Sequence, residues 1–314
     1  MFWATVAVVG GITLTVLSAD KFVEGAASLA SRLGMSHFLI GLTIISIGTS
    51  APELFVSTVA ALNGSPGLAL GNALGSNIAN IALVLGATAC IFPLIVSRPL
   101  VRREIPLLLL ITLFLCALAY RGIFDLFAGI LLLTVLPTVL FYLTKKELAS
   151  GEETEIHSLP IGFSIVLTMG GLIILLGSSE ALVWGAVEIA RFFGVSELVI
   201  GLTIIAIGTS VPELAASVAA ALKNKTDIVL GTIIGSNIFN SLGVIGIAST
   251  ISPFVIERQV LQRDLPWTLG LTLVLYLLAR FSVRGTLTCS YGILLLLLYV
   301  SYLYHIVATI VPNQ

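Results

Sequence analysis

Apolar runs about as long as a bilayer is thick fill this chain, separated by short polar breaks. A helix needs ~20 mostly apolar residues to cross hydrocarbon. On that measure the pattern predicts ten spanning helices. Five lie roughly at 2–18, 36–62, 67–92, 104–120 and 123–143, and five at 160–182, 196–222, 227–252, 264–280 and 286–310. The only long polar stretch is Thr144 to Ser158, TKKELASGEETEIHS. It is too short for a domain and reads as a solvated linker. The expected fold is an all-α membrane protein, with residues 1–143 as a first unit, 144–159 as the linker and 160–314 as a second unit.

The two units are copies. Gly34 to Glu53 reads GMSHFLIGLTIISIGTSAPE and Gly194 to Glu213 reads GVSELVIGLTIIAIGTSVPE, with fourteen of twenty positions identical at an offset of 160. The offset continues through Gly71, Gly75, Ser76, Asn77 and Asn80, which recur as Gly231, Gly235, Ser236, Asn237 and Asn240, and it reaches Pro106 and Pro266. Each unit holds an odd number of spans, five. The second therefore enters the membrane from the opposite side, as in the inverted repeats of secondary transporters. Ten helices put Lys21, Arg32, Arg98, Arg102, Arg103, Lys145, Lys146, Lys223, Lys225, Arg280 and Arg284 on one side. The other side receives Arg121, Arg191, Arg258 and Arg263. The basic side is cytoplasmic, which predicts a cytoplasmic linker and both termini outside, in the plasma membrane.

Composition agrees. Of 314 residues, 58% are hydrophobic and 10% charged, against about 25% charged in soluble domains. A net charge of −1 offers no surface for nucleic acid. Cys90, Cys116 and Cys289 stand singly in apolar segments and read as inert small hydrophobes. His37, His157 and His305 lie far apart near segment ends, a poor ligand pattern. The apolar N-terminus has no basic start or small-residue cleavage site, so it reads as a first helix rather than a signal peptide.

Against this background two carboxylates stand out. Glu53 and Glu213 fall mid-segment, where a charge costs roughly 2.5–3.5 kcal/mol or more and usually marks an ion or proton path. Pro52 and Pro212 precede them. Each lacks an N–H and clashes with the carbonyl four residues back. That frees backbone oxygen near Gly48 and Gly208, with Ser46, Thr49, Ala206 and Thr209 alongside. Such irregular backbone is tolerated only inside protein or along a cavity. Carboxylates, carbonyls and hydroxyls together suit hard cations, and Ca2+ takes 6–8 oxygens. In GNALGSNIANI and GTIIGSNIFNS, Ser76 shares a helix face with Asn80, and Ser236 shares one with Asn240. These four groups are read both as packing contacts and as donors completing an oxygen shell. The glycines beside them allow close helix approach.

GTSAPE and GTSVPE, each followed by a GSNIxN segment, resemble the two α-repeats of the Na+/Ca2+ exchangers, in the cation/Ca2+ antiporter superfamily. The resemblance covers nearly the whole chain and fits the prokaryotic type, which lacks a large regulatory loop. It implies an antiporter of Na+ and Ca2+ that needs no cofactor, works as a monomer and switches by alternating access. Glu53 and Glu213 would be carboxylates shared by both ions, with backbone oxygens at Thr49 and Thr209 completing the Ca2+ site. Ser50, Ser210, Ser76, Ser236 and the carbonyls of Ser46 and Ala206 would serve Na+. Asn80 and Asn240 would sit at the central plane, and the long first and sixth helices would slide across the core.

Two departures bear on coupling. K+-dependent members carry Asp where this chain has Asn240, which leans against K+. H+/Ca2+ members carry an acidic residue in the glycine-asparagine segment. Asn72-Ala73-Leu74 and Thr232-Ile233-Ile234 contain none. H+ exchange on the same two glutamates remains the rival within transport. An intramembrane enzyme using the glutamates as acid and base lacks any nucleophile–base pair or metal motif. A passive channel would be separated from a carrier by flux saturation and counterflow.

Overall fold

The structure is a computed structural model, and it describes residues 1–32, 34–148, 159–194, 206–282 and 285–310. Most of the linker, the start of the expected 196–222 segment, His157 and Arg284 lie outside those residues. The fold is all-α. Its elements are α1 (Phe2–Ser31), α2 (His37–Thr49), α3 (Ala51–Leu62), α4 (Pro66–Ile91), α5 (100–119), α6 (Leu126–Leu148), α7 (Ile161–Phe192), α8 (Val211–Leu222), α9 (Thr226–Ile251), α10 (Val260–Phe281) and α11 (Cys289–Ile310). A short helical turn, Ala206–Gly208, precedes α8.

Seven helices among the described residues are long and apolar enough to cross a membrane, or eight when the bent pair α2–α3 counts as one span. Helix α5 carries Arg102, Arg103 and Glu104 in its first turn. Helix α8 is short, and the residues before its preceding turn lie outside the described set.

The first and sixth expected segments are longer than the hydropathy pattern predicts. α1 has 30 residues and α7 has 32. At 1.5 Å per residue these run to about 45–48 Å, well beyond a ~30 Å hydrocarbon core. The pattern stops α1 near Ser18 because Asp20, Lys21 and Glu24 follow. In the structure these charges pair with one another and with Lys223, so the helix continues past them. α1 and α7 pack antiparallel along most of their length. Thr15 meets Ser178 at 3.0 Å and Ser28 meets Ser164 at 2.9 Å, hydroxyl to hydroxyl. A Cβ on Gly25 would lie 2.6 Å from the Thr168 nitrogen, and one on Gly171 2.7 Å from the Phe22 nitrogen. Only glycine permits so close an approach.

The interior belongs to α4 and α9. The most apolar stretch of α9 is 94% buried and that of α4 is 72%, against 28% for α1, α6, α7 and α11. The outer helices present Leu, Ile, Phe and Val outward, as lipid contact requires. Glycines again set the closest contacts. A Cβ on Gly235 of α9 would lie 2.6 Å from the Ser46 hydroxyl, and one on Gly41 of α2 2.8 Å from the Thr232 nitrogen.

Elements recur at the offset of 160. Two short strand pairs tie the halves together, β1 (Leu94–Ile95) with β4 (Thr286–Leu287) and β2 (Ile123–Phe124) with β3 (Phe254–Val255), both antiparallel. From β2 to β4 the offset becomes 163. The second half therefore gains three residues between the start of α10 and β4, two of them within the helix.

Candidate cation site

The site grows from two helix breaks. Ser36 caps α2, its hydroxyl accepting the Leu39 N–H at 3.2 Å. The helix passes through a π-helical turn at Gly41–Ile45 and stops at Ser50, where φ is −84° and ψ 7°. The axis then bends by 45° into α3. Pro52 sits in the first turn of α3, where its missing N–H costs nothing. The same absence leaves the Gly48 carbonyl without its usual donor four residues on. The second half repeats the break at Ser210, with φ −94° and ψ 6° and Pro212 following.

Glu53 and Glu213 therefore each stand in the first turn of a helix. Its N-terminus supplies positive dipole charge to a carboxylate. Both are buried, at 1% and 2% exposure. The Ser50 hydroxyl, just before α3, lies 3.2 Å from Glu213 Oε1 and 3.0 Å from Ser236 Oγ. Thr49 also faces the Glu213 carboxyl, and Glu213 stands within electrostatic reach of Glu53. Ser76 donates to Glu53 Oε1 at 3.4 Å. Asn80 donates to Asn237 Oδ1 at 3.1 Å.

Ser50 thus joins Glu213 to Ser236, Ser76 holds Glu53, and Asn80 is tied to Asn237 of the other half. The other residues singled out in the sequence stand differently. Ser210 and Asn240 are buried at 1%, yet neither side chain has a hydrogen-bond partner among the described residues. Ser46 turns its hydroxyl back to the Leu42 carbonyl at 2.5 Å, and its own carbonyl accepts the Ser50 N–H at 2.9 Å. That carbonyl also accepts from the Thr49 hydroxyl at 3.5 Å. Thr209 is half-buried, and Ala206 opens the turn before Ser210.

Several residues join the site that motif reading passed over. Asn72 donates to the Glu53 carbonyl at 3.4 Å and to Ser57 Oγ at 3.1 Å. Ser57 and Ser217 lie four residues after the glutamates, on the same helix face, a spacing visible in the sequence. Asn77 donates to Ser241 Oγ at 2.8 Å. Two further buried acids, Glu104 and Asp264, open α5 and α10, and each is paired with the arginine before it. Arg103 and Arg263 are thereby spoken for outside the site.

The unpartnered atoms carry the most information. Glu53 Oε2, Glu213 Oε2, Asn77 Oδ1, Asn80 Oδ1, Asn240 Oδ1 and Ser210 Oγ are all buried without a hydrogen bond among the described residues. An unpaired buried polar atom costs about 1–3 kcal/mol, more if charged. So many oxygens left open around two carboxylates make a set of acceptors waiting for a positive partner. Among the described residues no cluster of three or more His, Cys, Asp or Glu side chains exists. The donors are two carboxylates and neutral oxygens, a hard-cation set.

The sequence matches the family described as Sodium/calcium exchanger protein over residues 3–145 and 163–308. The chain belongs to that family. This exchanger is 43% identical to a putative antiporter, CaxA, of Alkalimonas amylolytica, over 97% of this chain and 98% of that one. It is 28% identical to the sodium/calcium exchanger MaX1 of Methanosarcina acetivorans, over 93% and 95%. Its fold is similar to that of the sodium-calcium exchanger NCX_Mj soaked without Na+ and Ca2+, with a TM-score of 0.85 and 35% identity over 96% of this chain and 98% of that one. The family is one of transporters, not enzymes.

Proposed function

We propose that this exchanger moves Ca2+ one way across the plasma membrane in return for Na+ moving the other way. It works by alternating access around a site held by two inverted five-helix repeats. The observation that carries the reading is the meeting of Glu53 and Glu213. Two equivalent helix breaks deliver a buried carboxylate each, Glu213 bonded to Ser50 of the opposite break at 3.2 Å and Glu53 to Ser76 at 3.4 Å, with one oxygen of each left open. Ser50, Ser76, Ser210, Ser236, Asn80 and Asn240 supply side-chain oxygen. Thr49, Thr209, Ser46 and Ala206 supply backbone oxygen at the ends of the broken helices. The ion-soaked relatives of the same fold support Na+ and Ca2+ as the cargo.

The strand pairs support the inverted arrangement. With ten alternating spans, β1 and β4 fall on one side of the membrane and β2 and β3 on the other. The pairings observed are the ones that order allows. The basic residues then place the linker in the cytoplasm and both termini outside. The protein acts as a monomer.

Charge sets the coupling. One Ca2+ neutralises two carboxylates, whereas three Na+ leave the loaded site at +1. Exchange of three Na+ for one Ca2+ is then electrogenic, driven by about 2.3 kcal/mol per charge per 100 mV. An empty site is costly to carry through a dry transition, because two unpaired carboxylates would lose solvent together. That cost couples the two fluxes.

The test is Na+-gradient-driven 45Ca uptake into proteoliposomes, compared with Glu53→Gln and Glu213→Gln. Uptake that follows a Na+ gradient and is lost in both variants supports the reading. Uptake driven by a pH gradient without Na+ would move it to H+/Ca2+ exchange. Uptake that neither saturates nor shows counterflow would make the protein a channel.

A further inference from the structure

Cys90 stands in the last turn of α4, and Cys289 is the first residue of α11. They are 199 positions apart in the sequence, yet the Cys90 thiol donates to the Cys289 carbonyl at 3.5 Å. The two side chains also lie within hydrogen-bonding reach of each other. Both are free thiols, Cys289 exposed and Cys90 half-buried. Read along the chain, each stands alone in an apolar segment, and only the fold makes them a pair.

Glycines bring them together. A Cβ on Gly292 of α11 would lie 2.5 Å from the Gly86 carbonyl of α4 and 2.7 Å from Cys90 Sγ. The helices therefore cross backbone to backbone at this point. The strand pair β1–β4 clamps the same end, with Leu94 opposite Leu287. The inverted copy repeats the crossing without the thiols. There Gly246 faces Gly129, and a Cβ on Gly129 would lie 2.5 Å from Thr250 Oγ1. Thr250 takes the place of Cys90 and Leu126 that of Cys289, and the Thr250 hydroxyl bonds its own Gly246 carbonyl at 2.7 Å. The same packing is thus achieved with a hydroxyl and an aliphatic side chain. It requires neither sulfur.

We propose that Cys90 and Cys289 form a reversible disulfide site that reacts with small disulfides such as oxidised glutathione. The exposed Cys289 thiol reacts first, because thiol–disulfide exchange needs access. It loses its proton to water, and its thiolate attacks one glutathione sulfur. A Cys289–glutathione bond forms, and one glutathione thiolate leaves. The Cys90 thiolate then attacks Cys289 Sγ, the Cys289–glutathione bond breaks, and the second glutathione leaves. The protein loses two thiol hydrogens, and one oxidised glutathione becomes two reduced ones. The product bond staples α4, which carries Ser76 and Asn80, to α11 across the β1–β4 joint. On the topology proposed above this face is cytoplasmic, where thiols are kept reduced. The bond then forms only when the glutathione pool is oxidised. The site does not depend on which ions the protein exchanges.

The experiment treats the reduced, purified full chain with oxidised glutathione, alkylates the remaining thiols in denaturant and maps the unreduced peptides by mass. In the wild type, alkylatable thiols should fall from three, the number of cysteines in the chain, to the single Cys116. One Cys90–Cys289 linked peptide should appear without bound glutathione, and reductant should reverse it. Cys90→Ser should retain glutathione on Cys289, because the resolving thiol is gone. Cys289→Ser should form no internal link. Cys116→Ser should still form the Cys90–Cys289 link. A stable glutathione adduct on wild-type Cys289, three thiols still alkylatable, a link through Cys116 or a link between two chains would overturn the proposal.

Discussion

Ser50 and Glu213 come from different halves of the chain, and the hydroxyl of one lies 3.2 Å from the carboxylate of the other. The break that presents Glu53 therefore also secures the opposite glutamate. Neither half of the site is complete without the other. A hydrogen bond to a charged group contributes about 1.5–3 kcal/mol. Ser50→Ala should weaken Ca2+ exchange about tenfold or more in apparent affinity, measured as the half-saturating Ca2+ concentration. The protein should still purify as a single folded species, because the lost group faces the site rather than the packing.

Neutralising one glutamate changes the charge arithmetic. Glu213→Gln leaves a single carboxylate, which no longer balances a divalent ion. Ca2+ flux should fall below detection, and no inside-negative potential should rescue it. In the wild type, the same potential should accelerate Na+ entry coupled to Ca2+ exit. A potential-insensitive wild type would exclude the three-for-one exchange.

Gly235 sets how closely α9 can approach α2. A methyl group there would meet the Ser46 hydroxyl at 2.6 Å and the Leu42 carbonyl carbon at 2.9 Å. Overpacking of this kind costs about 1–3 kcal/mol. Gly235→Ala should lower the melting temperature in detergent and reduce exchange. Gly270→Ala, where a Cβ meets no described atom within 4 Å, should do neither. Equal melting temperatures for both variants would contradict the close approach.

Lys223, just beyond α8, bonds Asp20 Oδ1 at 2.8 Å and the Asp20 carbonyl at 3.2 Å. It ties α1 to the helix that carries Glu213. A cleft of about 670 Å³ opens beside this contact, lined by Thr15, Asp20 and Lys21 of α1 and Val211, Leu214 and Ala215 of α8. Partly exposed ion pairs add at most about 1 kcal/mol to stability. Lys223→Ala should leave the melting temperature nearly unchanged while raising the exchange rate, if α1 must leave α8 during each cycle. An unchanged rate would mean that this contact persists through transport.

Much of the protein was legible before any coordinates. Proline chemistry is local, so Pro52 and Pro212 announce the two breaks from the sequence. A carboxylate in an apolar run is costly wherever the run packs, so Glu53 and Glu213 announce themselves as well. Identity at an offset of 160 needs no structure to read, and it pairs Ser76 with Ser236 and Asn80 with Asn240. Which groups actually meet was decided by tertiary structure. Ser50 bonds Glu213, Asn80 bonds Asn237 and Asn77 bonds Ser241 because two separately wound halves dock in one particular way. Docking depends on shape across more than a hundred residues of intervening chain. The same reason explains the length of α1. Its polar positions look like an end when read alone, but the helix runs on through them where Lys223 comes within reach of Asp20.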